Sequence, residues 1–383
     1  MKLRVLSEGY KILIVFKNSV VKVLKDNLVY LPTPSISLTG FWNFGSLLGV
    51  CLATQIITGI FLVFKLKVGR DTSFTAILLL RDISYIVEPR FLHANGASIF
   101  FICLYLHIGR GLYSGSFAKK HTWLVGVSIL LLTIATAFLG YVLPWGQMSF
   151  WGASVIIGLL SALPLVGSSA AIWLWGSFSV TDGTLSRFLA FHFLLPFVLC
   201  GLMFFHITLL HIDGSSNPTF PRGVVEKIYF SKTYGVNKDG VGALLILIAL
   251  SWVRLIYPTA LGDVENFVLA DKGTTPLHII PEWYYLFAYA ILRAIPRKLG
   301  GVLALVLRVT ILYLLPLTTP GLKRANFSPL KKRLFWGLVV VFFALTWVGA
   351  RPVESPYIET GALLTCIYFG LFLLVSKFGR KRV

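Results

Sequence analysis

Long apolar runs separated by short polar stretches organise this 383-residue chain. Crossing the hydrocarbon core of a bilayer takes about 20 consecutive, mostly apolar residues. Runs of that length fall at 41–64, 91–112, 123–143, 187–211, 241–258, 298–318, 333–350 and 357–376. The pattern predicts an all-α, polytopic membrane protein with eight transmembrane helices. The fifth run is short and carries Arg254 near its end. Gly146, Gly152 and Pro144 suit a break in the backbone, followed by a short surface helix.

Composition agrees with this pattern. Hydrophobic residues make up 56% of the chain, charged residues 13%, and mean hydropathy is +0.81. The net charge of +20 reads as topology. With eight spans both termini share one side, and that side holds 22 of the 35 Lys and Arg residues. Placing Arg308 inside its helix leaves 12 basic residues on the opposite side, with 10 of the 15 acids. The positive-inside rule therefore puts both termini in the compartment from which the chain is inserted. The basic residues are spread over five loops and tails with no soluble domain to form a groove, which excludes a nucleic-acid partner. Residues 1–27 alternate Lys and Arg with Leu, Ile and Val and read as an amphipathic surface helix, or alternatively as a targeting segment.

Four histidines carry the candidate chemistry. His93 and His107 lie 14 residues apart in the second run, and His192 and His206 repeat the interval in the fourth. On an α-helix that interval turns through about 1400° and rises about 21 Å, so each pair falls on one stripe at two depths. Two such helices side by side offer two opposed imidazole pairs, each able to ligate a haem iron axially. A single apolar-helix histidine is usually structural, but the repeated interval favours ligation, and intramembrane ionisable groups mark function.

Two further patterns bear on this. Cys51, Cys103, Cys200 and Cys366 are isolated, with no C-x-x-C-H attachment motif, so a haem would be held without thioether links. Gly45 and Gly59 in the first run, and Gly126 and Gly140 in the third, repeat the 14-residue spacing. A flat macrocycle between helices needs such positions, although small residues also serve ordinary helix packing.

At this point the chain resembles a family, the cytochrome b subunits of quinol:cytochrome c oxidoreductase, respiratory complex III. The resemblance rests on RFLHANGAS at 90–98, LHIGRGLY at 106–113, GYVLPWGQMSFWGA at 140–153 and HFLLPF at 192–197. HIDGSSNP at 211–218, PEWYYLFAYAILRAIP at 281–296 and PVESPYI at 352–358 complete the series. The 14-residue interval in the second pair and the single polypeptide resemble the respiratory rather than the plastid type.

The resemblance implies an N-terminal surface segment at 1–40, a dihaem four-helix bundle at 41–215 and a C-terminal four-helix membrane domain at 216–383 that carries the PEWY loop. It gives His93 and His192 to a low-potential b haem near the outer face and His107 and His206 to a high-potential one near the inner face. Arg90 and Arg110 would meet haem propionates. At an outer quinol-oxidising site Glu282 would accept a proton, with Tyr284, Tyr141, Phe138, Gly152, Tyr289 and Pro281 shaping the pocket. Glu282 could also cap the helix that begins at Trp283. At an inner quinone-reducing site His211 and Asp239 would act with Ser215 and Lys238, and Ser216 stands where relatives often have Asn. The implied activity is a Q cycle: ubiquinol is oxidised outside and electrons pass through two haems to quinone inside, contributing to a proton gradient. The implied partners are a Rieske iron–sulfur protein, a cytochrome c-type haem subunit, other complex III subunits, the bilayer and a second copy of this chain. The implied location is the mitochondrial inner membrane, with both termini in the matrix, and the bacterial plasma membrane is the alternative. A transporter and a dihaem carrier without quinone chemistry remain as rivals.

Overall fold

The computed structural model describes residues 22, 32–33, 38–82, 89–215, 228–229, 234–318 and 328–379. The expected surface helix at the N-terminus and Ser216 lie outside the described residues. Among those described, the chain is nearly all helical, and eight helices are long and apolar enough to cross a membrane. The rest is short helices and turns, with one two-residue antiparallel pairing of Pro32–Thr33 with Ile228–Tyr229.

In chain order the helices are α1 (Phe44–Val63), α2 (Arg70–Asp82), α3 (Pro89–Ser114), α4 (Lys120–Val142), α5 (Gln147–Leu160) and α6 (Gly167–Trp175). They continue with α7 (Asp182–Asp213), α8 (Tyr234–Ile256), α9 (Leu286–Arg293), α10 (Lys298–Thr318), α11 (Pro329–Gly349) and α12 (Tyr357–Gly379). The spans are α1, α3, α4, α7, α8, α10, α11 and α12. Each of the eight apolar runs read from the sequence coincides with one of them.

Backbone groups in lipid must be satisfied within the chain, which makes the spans helical. Local signals set the ends. Thr181 and Thr184 form a reciprocal capping box at the start of α7, and Pro329 opens α11 at a position where its missing N–H is harmless. With 32 residues, α7 rises about 48 Å, more than the roughly 30 Å of hydrocarbon, and so projects from it.

The spans pack in two groups. In the first, α1 lies along α3 and α4 along α7, with α8 against α1 and α3. In the second, α10, α11 and α12 pack around the short helix α9. Phe101, Leu104, Phe117, Phe287, Ile291, Leu312 and Leu345 belong to one continuous buried core that joins the two groups. A second core under α5 and α6 includes Val142, Trp145, Phe150, Ala153, Leu185 and Phe188. It anchors the neighbouring loops to the ends of α4 and α7.

Candidate functional site

The four histidines meet as two pairs. The ring centroids of His93 and His192 are 6.0 Å apart, and those of His107 and His206 are 6.4 Å apart. An imidazole nitrogen binds a first-row metal at about 2 Å, so two axial imidazoles on one ion bring their centroids to roughly 6 Å. Both separations fit a single ion held between opposed rings. No cluster of three or more His, Cys, Asp or Glu capable of holding a metal occurs among the described residues. Two imidazoles alone leave most coordination positions open, so an ion here fits if it brings its own equatorial ligands, as a haem does.

The glycines stand where the spacing suggests. A Cβ on Gly45 would meet His107 Cε1 at 3.2 Å, and one on Gly126 would meet His206 Cε1 at 3.1 Å. At the other level, a Cβ on Gly59 would meet His93 Cε1 at 3.1 Å, and one on Gly140 would overlap the His192 ring. Each glycine leaves the neighbouring helix room for one imidazole.

Hydrogen bonds fix the pair expected on the outer side, His93 with His192. Thr58 Oγ1 donates to Thr54 O at 2.7 Å and lies 2.9 Å from His93 Nδ1. With its proton committed, the hydroxyl accepts from Nδ1–H and leaves the His93 Nε2 lone pair for a ligand. His192 Nδ1 donates to Thr136 O at 2.8 Å, with the same consequence. The inner pair is held differently. Arg110 Nη2 is 3.3 Å from His107 Nδ1, and His206 is buried against the Thr122 backbone.

Each pair opens on a cavity. The inner one, about 400 Å³, is lined by His107, His206, Gly45, Gly126 and Arg110. Among the described residues Arg110 Nε and Trp42 Nε1 are buried there without hydrogen-bond partners, and the guanidinium sits over the Trp42 ring at 5.4 Å. Orphaned donors at the wall of an apolar cavity fit a large apolar ligand with an acidic edge. His211, Ser215, Lys238 and Asp239 line the same cavity, and Lys238 Nζ donates to Leu38 O at 2.6 Å.

The outer cavity, about 290 Å³, is lined by His93, His192, Gly59, Gly140, Arg90, Tyr141, Asp263, Glu282 and Tyr284. The Arg90 guanidinium lies 4.6 Å from the Phe267 ring centroid. Tyr284 is buried and stacks on Phe101 with centroids 4.1 Å apart. Its carbonyl accepts from Tyr105 Oη at 2.5 Å. Burial pushes the Glu282 carboxyl up to about 7; the charge of Asp263 adds to the rise and the Tyr141 hydroxyl opposes it. The Glu282 side chain makes no capping hydrogen bond to the turn that follows it, so the capping role considered from the sequence is not seen.

Four residues expected in the outer pocket are off this wall. Phe138 packs on Phe188 with centroids 5.9 Å apart, and Tyr289 Oη donates to Ile279 O at 3.1 Å. Pro281 is half-buried just before the turn. Gly152 lies in α5 with open space where a Cβ would stand.

Other residues on or behind that wall escaped the sequence reading. Asn266 Oδ1 accepts from Ser149 N and Ser149 Oγ, both at 2.9 Å, tying the loop of Asp263 to the start of α5. A Cβ on Gly146 would overlap Asn266, so only glycine permits this approach. Trp145, with φ at 58°, is fully buried beside it, and its carbonyl accepts from Ala270 N at 3.1 Å. Thr58, Asp263 and Asn266 are single polar residues with no periodic signature.

The architecture defines a polytopic membrane protein that carries two histidine pairs at two depths. Two family models match: "Cytochrome b/b6/petB" over residues 28–214 and "Cytochrome b(C-terminal)/b6/petD" over residues 269–369. A solved chain described as "Hyperthermophilic respiratory Complex III" superposes with a TM-score of 0.84 at 29% identity, over 95% of this chain and 98% of that one. The chain belongs to the cytochrome b family and is a redox subunit of a bc complex.

Proposed function

We propose that this chain is the quinol-oxidising and quinone-reducing subunit of a respiratory quinol:cytochrome c oxidoreductase, working by a Q cycle. The observation that carries the reading is the joining, within each cavity, of a histidine pair to groups able to move protons: Glu282 on the outer side, His211 and Asp239 on the inner. His93 and His192 would hold one b haem and His107 and His206 the other, with Arg90 and Arg110 meeting their carboxylates. Such haems, when bound, supply one-electron carriers at two depths.

The chain's own residues do the rest. Thr58 and the Thr136 carbonyl keep Nδ1 of the outer imidazoles protonated and their Nε2 atoms available. Glu282, with a carboxyl near 7, is matched to accepting a quinol proton at neutral pH and passing it outward. Tyr141 and Tyr284 frame the quinol ring beside it, with Phe138, Gly152, Pro281 and Tyr289 supporting the surroundings. At the other end His211, Asp239, Ser215 and Lys238 would hydrogen-bond quinone and deliver protons from the inner side. The four-helix bundle at 41–215 would be the electron-carrying half and 216–383 the half bearing the quinol loop. The finer assignments are ubiquinone as substrate, a Rieske protein and a cytochrome c-type subunit as partners, a homodimer, and the mitochondrial inner membrane with both termini in the matrix. The charge asymmetry supports that orientation.

A redox-titrated optical spectrum of the purified complex, with haem quantified per copy of this chain, tests the reading. Two b-type haems of separable potential, and a spectral shift on adding a quinol analogue, are expected. One haem or none would overturn it.

A further inference from the structure

Gln147 opens α5 with only 4% of its surface exposed. Its side chain bonds to the loop that joins α8 to the PEWY turn. Nε2 donates to Thr274 O at 3.0 Å, and Oε1 accepts from Asp271 N at 3.0 Å. Trp151 Nε1, one turn along α5, donates to the same oxygen at 3.1 Å, so both lone pairs of Oε1 are used. The Gln147 backbone N–H donates to Val268 O at 2.9 Å. One residue thus grips the loop at 268, 271 and 274. Starting a helix does not itself call for a buried glutamine, and a buried amide is tolerated only where its hydrogen bonds are made.

What the grip holds is a wall of the outer cavity. Leu261, Gly262, Asp263, Asn266 and Phe267 of this loop line that cavity. The start of the loop is tied by Asn95 Nδ2, which donates to Pro258 O at 2.9 Å. Its middle is tied by Asn266 to Ser149, and its end by Gln147. The Asp263 carboxylate accepts from Glu265 N at 2.9 Å, and Phe267 lies against the Arg90 guanidinium. The cations and carboxylates lining the cavity are Arg90 from the start of α3, Asp263 from this loop and Glu282 from the turn. Tyr141 at the end of α4, with Tyr284 and Tyr285 in the turn, lies within electrostatic reach of Glu282. Of these groups Asp263 is the one carried by the clasped loop, and its charge acts on the Glu282 carboxyl.

We propose that Gln147 is a positioning residue for the outer quinol site: its side chain clasps the 268–274 end of the loop to α5 and thereby fixes how close the Asp263 carboxylate stands to Glu282. It touches neither substrate nor cofactor and acts through the loop. The proposal rests on the reading of Glu282 as acceptor of the quinol proton. A negative Asp263 held close disfavours a second negative charge on Glu282. A loop released from α5 lets Asp263 spread over greater distances and more solvent, where its charge acts more weakly. Glu282 then ionises, and can accept a proton, at lower pH.

The test uses the assembled complex and the pH dependence of quinol oxidation in a cycle of four forms: unaltered, Asp263→Asn, Gln147→Met and both together. Methionine keeps most of the volume and gives up every side-chain hydrogen bond. In the unaltered background Asp263→Asn should move the acid limb to lower pH and raise the rate on it by roughly threefold to tenfold, the scale of one charge acting through a protein interior. Gln147→Met alone should move the limb most of the way in the same direction. Adding Asp263→Asn to it should then change the rate there by less than about twofold. A Gln147→Met limb that stays in place, or an Asp263→Asn shift of the same size in both backgrounds, would overturn the proposal alone and leave the glutamine a packing role. If Gln147→Met does not assemble, Gln147→Asn, one methylene too short to reach Thr274 O and Asp271 N together, decides by the same comparison. A limb that Asp263→Asn leaves in place in the unaltered background, or an unaltered complex that oxidises no quinol, refutes the reading of Glu282 as acceptor and the proposal with it.

Discussion

Replacing Gly140 by alanine probes the outer histidine pair directly. The added methyl would come closer to His192 Cε1 than real Cβ contacts allow, and within 2.9 Å of both ring nitrogens. The ring cannot easily yield. Its Nδ1 is tied to Thr136 O at 2.8 Å, and its other side faces His93 at 6.0 Å between centroids. Relief requires the ring to tilt or the α4 and α7 backbones to part by some tenths of an ångström. Overpacking of this kind costs about 1–3 kcal/mol. If that strain falls on the haem-bound state, it weakens the hold on the outer haem by roughly fivefold to more than a hundredfold. Gly45→Ala is the control, since its Cβ would meet His107 Cε1 at 3.2 Å, a contact that a small shift relieves. Haem content per polypeptide and a redox-titrated spectrum should show Gly140→Ala losing or shifting the outer component alone. Gly45→Ala should keep both. Equal damage in the two variants, or an unaltered outer haem in Gly140→Ala, would refute the claim that this glycine makes room for His192.

Quinol oxidation should rise with pH through about 7, because Glu282 is protonated below that point and cannot accept a proton. Asp263→Asn removes a negative charge that favours the protonated form, so the limb should move to lower pH; a stopped-flow pH series showing movement upward would contradict this. Thr58→Val removes the acceptor for His93 Nδ1–H, and a tenfold or greater loss of outer haem affinity in a haem-transfer assay is expected for such an orienting partner.

The eight spans were legible because lipid imposes a rule that sequence obeys directly: a run of apolar residues long enough to cross must become a helix. The histidine and glycine intervals were legible for a related reason, since a straight helix converts a repeat of 14 residues into one face at two depths. The pairing of His93 with His192 was already implied by the resemblance, whereas the choice of imidazole for each glycine became visible only in three dimensions. The outer wall was read in part. Glu282, Tyr141 and Tyr284 share the cavity, whereas Phe138, Gly152, Pro281 and Tyr289 do not line it. Asp263 and Asn266 were missed because each reaches the site from a loop, where no periodicity announces a side chain's direction. Arg308 was read only as a charge to be placed inside its helix, because its neighbours Phe287, Tyr105 and Tyr368 arrive from three separate elements.

Under the proposed function, the relation between the two cavities accounts for charge separation. Four residues, Leu52, Phe100, Thr133 and Leu199, line both. The partition is thus about one side chain thick and apolar except for the Thr133 hydroxyl, which is buried without a hydrogen-bond partner among the described residues. Such a wall offers no chain of hydrogen-bonding groups along which a proton could pass, and carrying a bare charge through it is costly. An electron needs no such chain, only redox groups held close on either side, and the histidine pairs stand one on each side. Protons must then enter or leave at the ends, where Glu282 faces the outer cavity and His211, Lys238 and Asp239 face the inner one. Under the proposed function, the same four side chains that keep the cavities apart make electron transfer between them generate a voltage.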